Sequence, residues 1–512
     1  MPQQLPETVI LGPDISLEAL VAVARYGAKV EFSSDYCERV TRSRFLVEQW
    51  VEENRKMYGV TTGFGALCNK VISKEETARL QRNIILSHAT SVGEPFSIEQ
   101  ARATMLMVLQ NLGRGFSGVR LTLLERYKDF LNCNLVPWMP REGSVGYLSP
   151  EAHMALVLLG EGKAYYNGEL LPGDIALSKA GMEPMELSAK EGLALVSGTT
   201  SVTALASLAL YDLIQAAKSA DVIAAITLES TRGLLRAFDE RAMQVRPHPQ
   251  QQETAANVRT ILSDSEIMVQ SQNARIQDAL SLRCIPQLHG AAKKTLLDAL
   301  KTLEIEINSC CDNPIIWSEP GEEDVISACN PDSSFVGIEM DSACIAATCL
   351  AKMSERRNNR MIDGTLSGHP WFLIQNPGLN SGLMIPQYTQ AGLLGDMRIL
   401  STPATIDNTP TCGNQEDYVA MGYNAAKKAV QIAEKLEYIL AIELLSGYES
   451  QVFLEKDMAR STVTTQILAE IEQHVPLMEQ DVYLHPYMEY LREFIHSGEL
   501  LKIAEQGVGR SL

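Results

Sequence analysis

Apolar residues in the later part of the chain recur at steps of three and four. Ala292, Leu296, Leu300, Leu303 and Ile307 share one face of a helix, with Lys293, Lys294, Asp298 and Lys301 mostly off it. Ala429, Ala433, Leu436, Leu440 and Leu444 repeat the pattern, and Gly447 stands where a helix C-cap is expected. From Val202 to Leu235 most positions are apolar or small, which predicts a helix buried on several sides. Strand signals are few and short. The first quarter alternates short helical patterns with Gly-rich loops, among them the run from Tyr58 to Gly65. The pattern predicts a mainly α protein. A loop-rich N-terminal region, residues 1–200, carries chemistry, and a long-helix bundle occupies 201–512.

Composition narrows the function classes. A chain of 512 residues, 46% hydrophobic and 21% charged, reads as a soluble globular protein with a large core. A net charge of −19 without a long basic run argues against nucleic-acid binding. The ten cysteines form no CxxC pair or regular framework, so they read as reduced thiols of an intracellular, cytoplasmic protein. Met1 to Pro13 holds no basic segment followed by an apolar run, and no signal peptide is expected. Gly192 to Tyr211 lacks charge and is long enough to raise a membrane span. Its many Ser and Thr residues make it read as protein interior instead.

Common motifs are missing. There is no P-loop, no HExxH and no GxSxG, and no two of the eight histidines stand at i, i+4, so no helix-borne metal pair is expected. One GxGxxG occurs at Gly113, Gly115 and Gly118, but Met105 to Leu112 before it reads as helix rather than the strand a dinucleotide site needs.

What remains is an ordered series of loop sequences. Tyr58 opens YGVTTGFG, and Ser87-His88 follows. Next come Gly143-Ser144-Val145-Gly146, Lys190 to Thr199 (KEGLALVSGT), and Ser281 to Gln287 (SLRCIPQ). Asp312-Asn313-Pro314, Ser354 to Arg357, Gly378 to Gly382 and Asn414 to Asp417 (NQED) complete it. The array resembles the ammonia-lyase and aminomutase family that depends on 4-methylideneimidazole-5-one (MIO), most closely its histidine branch. The resemblance covers roughly Leu17 to Gly447 and implies the fumarase/histidine ammonia-lyase-like helical superfold. A more distant likeness to fumarase-type lyases rests on Pro377 to Gln387, which lacks the lysine expected there.

The chemistry implied has a clear need. A β-hydrogen is barely acidic and a free amine leaves poorly, so an electrophile on the amine and a positioned base are both required. By resemblance, Tyr58 is the base, and its phenol, ordinarily near pKa ~10, must be lowered. Arg283 matches a carboxylate clamp, Asn330 an amide beside the same carboxylate, and Gln277 another pocket position. His88, Gln415 and Glu416 suggest an imidazole side chain. Gly146, Tyr147 and Ser197 fall where the prosthetic group is held, and Leu280 where a tyrosine hydroxyl enters the pocket. The family implies no dissociable cofactor, no metal, and a homotetramer whose sites draw loops from three subunits.

Several of these positions depart from the family pattern. Ser197 replaces an asparagine, Leu280 a tyrosine, Tyr147 an aspartate, and Pro331-Asp332 a Phe-His pair. More pointedly, the family forms MIO autocatalytically from an Ala-Ser-Gly tripeptide after the Gly-Ser-Val-Gly turn. Here Gly146 is followed directly by Tyr147, and the pattern resumes in register. A deletion confined to three reactive residues would be odd. The expectation is therefore a cyclised residue between Gly146 and Tyr147 that a sequence written in standard residues omits. The readings left open are a histidine or aromatic ammonia-lyase, a 2,3-aminomutase with the same site, and a non-catalytic homologue if the tripeptide is absent.

Overall fold

The computed structural model describes residues 5–62, 76–455 and 457–512. Helices dominate, as the periodicity predicts. The nine that build or position the site are α1 (Thr77–His88), α2 (Ile98–Gly113), α3 (Ser149–Leu158), α4 (Glu191–Val196), α5 (Thr200–Ser230), α6 (Ile285–Ile307), α7 (Ser334–Ile362), α8 (Met384–Leu400) and α9 (Gly422–Glu449). The strands are three or four residues long. They form a parallel pair (Thr8–Leu11 with Lys29–Phe32), two antiparallel pairs (Val92–Pro95 with Pro140–Glu142, Ile315–Trp317 with Asp324–Ile326) and one three-stranded sheet (Leu135–Pro137, Lys163–Tyr166, Glu169–Pro172).

Helices α5, α6, α7 and α9 pack on one another as the central bundle. Two levels of contact fix their directions. Near one end, Gly337 of α7 meets Gly422 at the start of α9 so closely that a Cβ on Gly337 would lie 2.9 Å from the Gly422 Cα. Near the other, Arg357 of α7 pairs with Glu443 of α9, Thr227 of α5 donates to Glu443, and Arg357 donates to His289 of α6. Helices α5, α7 and α9 are therefore parallel, with their N-termini at one end, and α6 runs against them.

The predicted faces are largely right. Ala292, Leu296, Leu303 and Ile307 are buried and Leu300 half-buried, while Ala429, Ala433, Leu436, Leu440 and Leu444 are all buried. Lys293 departs from the expectation. It is buried and pairs with the buried Asp221 of α5, which His289 also contacts at 2.9 Å. Burial is tolerated because the charge is matched, a rule that apolar periodicity cannot express. Gly447 does not end its helix, which continues to Glu449. Its missing side chain instead lets α5 approach, since a Cβ there would lie 2.9 Å from Ile226 Cγ2. The uncharged Gly192–Tyr211 stretch is two helices broken at Ser197–Thr199. Glu191–Ser230 is long and apolar enough to cross a membrane, but its most apolar window is wholly buried inside the bundle. The GxGxxG glycines begin at the last residue of helix α2, so a helix precedes them, as read from the sequence.

Candidate functional site

The N-terminal ends of α5, α7 and α9 meet the short loops that carry the motifs. Each such end holds unpaired N–H groups and roughly half a positive charge, so the region favours anions and carboxylates. Glu151 of α3 caps α5 accordingly: one carboxylate oxygen accepts from Ser201 N and Thr200 Oγ1, both at 2.9 Å. Burial raises its pKa.

Tyr58 sits half-buried in a turn built by threonines. Thr61 Oγ1 donates to Arg55 O at 2.8 Å and accepts from Met57 N at 2.9 Å, and Thr62 Oγ1 donates to Met57 O at 3.2 Å. Gly63, Phe64 and Gly65 lie outside the described residues. Gln81 of α1 ties this turn to α4. Its side chain donates to Gly59 O at 3.3 Å and accepts from Leu193 N at 3.2 Å. Gly192 packs directly on the Gln81 backbone, where a Cβ would lie 2.3 Å from its carbonyl oxygen. His88 ends α1, with Ser87 Oγ at 3.0 Å from its Nδ1. Burial lowers the His88 pKa, against an opposing pull from Glu416.

Lys190 and Asp312 brace the opposite wall. Both side chains are fully buried, 2.6 Å apart. Lys190 holds a left-handed backbone (φ 75°) at the start of α4, a conformation that costs a non-glycine residue roughly 1–3 kcal/mol. Ser197 follows α4 and accepts from Asn313 N at 3.2 Å. Asn330 donates to Cys310 O at 3.3 Å, and burial pushes the Cys310 thiol up to about 11.

The Gly146–Tyr147 junction is closed by its own bonds. Ser144 Oγ accepts from Gly146 N and donates to Tyr147 O, at 3.2 and 3.1 Å. Leu148 N donates to Val196 O at 3.0 Å, joining the turn to α4. Leu148 itself has φ 82° and ψ −65°, and Ser149 N reaches back 3.2 Å to Tyr147 O. This is the strained γ-turn, rare for a residue with a side chain. Gly146 abuts Ser333, where a Cβ would lie 2.8 Å from the hydroxyl. Tyr147 Oη donates to Glu416 Oε2 at 3.1 Å, and burial, with Glu416 adding to it, raises the Tyr147 pKa strongly.

The fold thus gathers Gly146, Tyr147, Ser197, Asn330 and Glu416, with Tyr58 and His88 joined to them through α1. Gln415 is exposed beside Glu416. Gln277, Leu280 and Arg283 lie elsewhere. They precede α6, whose 23 residues span roughly 33 Å and whose far end leads to Cys310, Asp312 and Asn313. Asp278 caps Leu234 N at 2.6 Å, just beyond the C-terminal end of α5. Arg283 makes no ion pair among the described residues, and its Nε is buried without a hydrogen-bond partner. Leu280 is 60% exposed.

The 512 residues do not themselves show the tripeptide from which the family's MIO group forms. The sequence holds no Ala-Ser-Gly at the junction, Ser197 is engaged by backbone, and a phenol bonded to Glu416 follows Gly146. The sequence motifs pointed to Lys190 and Asp312 only as parts of separate runs, and their pairing was not anticipated. Gln81 and Glu151 lie outside those runs, and nothing in the sequence singles them out.

The chain matches the profile of the aromatic amino acid lyase family over residues 15–473. It is similar to histidine ammonia-lyase from Symbiobacterium thermophilum, 41% identical over 506 residues, covering 98% of this chain and 99% of that protein. The solved structure of histidine ammonia-lyase from Trypanosoma cruzi superposes with a TM-score of 0.91 at 32% identity, covering 98% of this chain and 95% of that one. Tyrosine aminomutase from Streptomyces globisporus gives 0.92 at 32% identity, with 98% of both chains covered.

Proposed function

We propose, because the chain belongs to the aromatic amino acid lyase family and is by that membership a carbon–nitrogen lyase, that it removes ammonia from L-histidine or a related aromatic L-amino acid. The product is the α,β-unsaturated acid, urocanate from histidine. The observation that carries this reading is the near-complete overlap with histidine ammonia-lyases at about 40% identity. Tyr58 takes the β-proton, Ser197 lines the reacting end, Asn330 stands beside the substrate carboxylate, and His88, Gln415 and Glu416 receive the imidazole. Arg283 clamps the carboxylate, flanked by Gln277 and Leu280. Since α6 separates Arg283 from the other groups, the clamp at each site comes from another copy. A cytoplasmic homotetramer is the assembly we propose, with residues 1–200 supplying the base loop and 201–512 the bundle.

MIO would supply the electrophile that lets the amine leave, and its Ala-Ser-Gly source belongs between Gly146 and Tyr147. The 512 residues do not show it. That same junction favours a second reading, a homologue that keeps the pocket without elimination. Purified protein given L-histidine should yield urocanate absorbance and ammonia, and borohydride should abolish the activity. A β-amino acid product would mark the aminomutase outcome of the same site. No product from histidine, tyrosine or phenylalanine, with an intact mass matching the 512 residues, establishes the second reading.

A further inference from the structure

The loop from Thr411 to Glu416 closes on itself. Thr411 N donates to Glu416 O at 2.8 Å, and residues 412 to 415 are exposed. Glu416 is the one residue between Cys412 and Tyr418 that turns inward. Two donors converge on a single carboxylate oxygen, Oε2: Thr411 Oγ1 at 2.7 Å and Tyr147 Oη at 3.1 Å. Oε1 takes no part in these bonds. Tyr147 comes from a different part of the chain, on the strained turn before α3, and is the residue by which this chain departs from the family at that place. Groups from two other segments face the pair: Cys329 and Asp332 from one loop beside Tyr147, and His88 of α1, whose pKa Glu416 pulls upward.

We propose that Tyr147 is a positioning residue that sets the pocket's preference for an imidazole-bearing amino acid, by fixing Glu416 in one orientation with Oε1 left for the ligand N–H. This rests on the histidine-class substrate reading above and deepens it. A carboxylate held by two donors on one oxygen cannot rotate without losing both bonds. Its second oxygen is then a preset acceptor for a ring nitrogen, and little rotamer freedom is lost on binding. An amino acid with an apolar ring gains nothing from it. The pair therefore discriminates by a hydrogen bond to a charged acceptor, the kind of contact that separates ligands most strongly.

Calorimetric titration of the whole protein with L-histidine tests this without requiring turnover. Tyr147→Phe and Glu416→Gln should each weaken binding roughly tenfold to a hundredfold. The double variant should be no weaker than Glu416→Gln alone, because both remove one unit. Wild-type affinity in Tyr147→Phe, wild-type affinity in Glu416→Gln, or losses that multiply in the double variant would each overturn the proposal. If Tyr147→Phe does not fold, Thr411→Val removes the other donor to the same oxygen and should weaken binding in the same direction. Unchanged binding there would overturn it too. No binding of L-histidine to the wild type sinks the substrate reading and this inference together, whereas binding indifferent to Tyr147 sinks this inference alone.

Discussion

Replacing Lys190 by Met should destabilise the protein through Asp312 rather than through lost packing. The two side chains are fully buried and 2.6 Å apart, and methionine fills similar volume. Removing the ammonium leaves Asp312 with only Asn313 N, at 2.7 Å, as a partner on the described residues. Breaking one side of a buried pair costs about 3–5 kcal/mol, because an uncompensated charge stays in a low-dielectric site. That is a large share of the roughly 5–15 kcal/mol that holds a typical domain together. The left-handed Lys190 backbone would also lose its anchor. Urea unfolding followed by circular dichroism at neutral pH, at fixed protein concentration, reads the loss as a fall in midpoint. The double variant Lys190→Met with Asp312→Leu should recover most of it, since replacing both charges removes the penalty. A single variant within about 1 kcal/mol of wild type, or a double variant as unstable as the single, would refute the argument.

Tyr58→Phe should lower turnover about 10²–10⁴-fold with little change in stability, as loss of a general base does; steady-state kinetics beside a melting curve checks both. Arg283→Gln should raise KM for the amino acid, and the proposed shared site predicts that mixing it with inactive Tyr58→Phe subunits before reassembly restores part of the activity. Purely additive activity in the mixture would show that one chain holds a whole site. Acid should destabilise the bundle through His289, whose pKa burial lowers, against Asp221. The folded ring binds fewer protons than the unfolded one, so its contribution is intact above about pH 6.5 and fades as pH falls below it. Melting temperatures across that window should drop, and less so in His289→Gln. Gly447→Val should cost about 1–3 kcal/mol by forcing Ile226 away, measured by the same unfolding assay.

The bundle was legible because apolar spacing reports a buried face directly, as on α6 and α9. Lys293 and Gly447 were misread for one reason. Each is explained by a residue on α5, Asp221 and Ile226, and helical periodicity carries no information about the facing helix. The motif loops placed Tyr58, His88, Gly146, Ser197 and Glu416 in order along the chain, and the structure draws them to the N-terminal ends of three parallel helices. Arg283 sits in an equally specific motif and lies at the other end of α6. Sequence order cannot say which copy a residue serves, because that depends on helix direction and assembly. Tyr147 looked like a loss, an aspartate replaced. Its bond to Glu416 became visible only when a residue 269 positions away was brought to 3.1 Å.

The most direct test of the central claim is product formation from L-histidine by the purified protein. The account predicts rising urocanate absorbance with one ammonia released per urocanate. A flat trace with histidine, and with tyrosine and phenylalanine in its place, would contradict it.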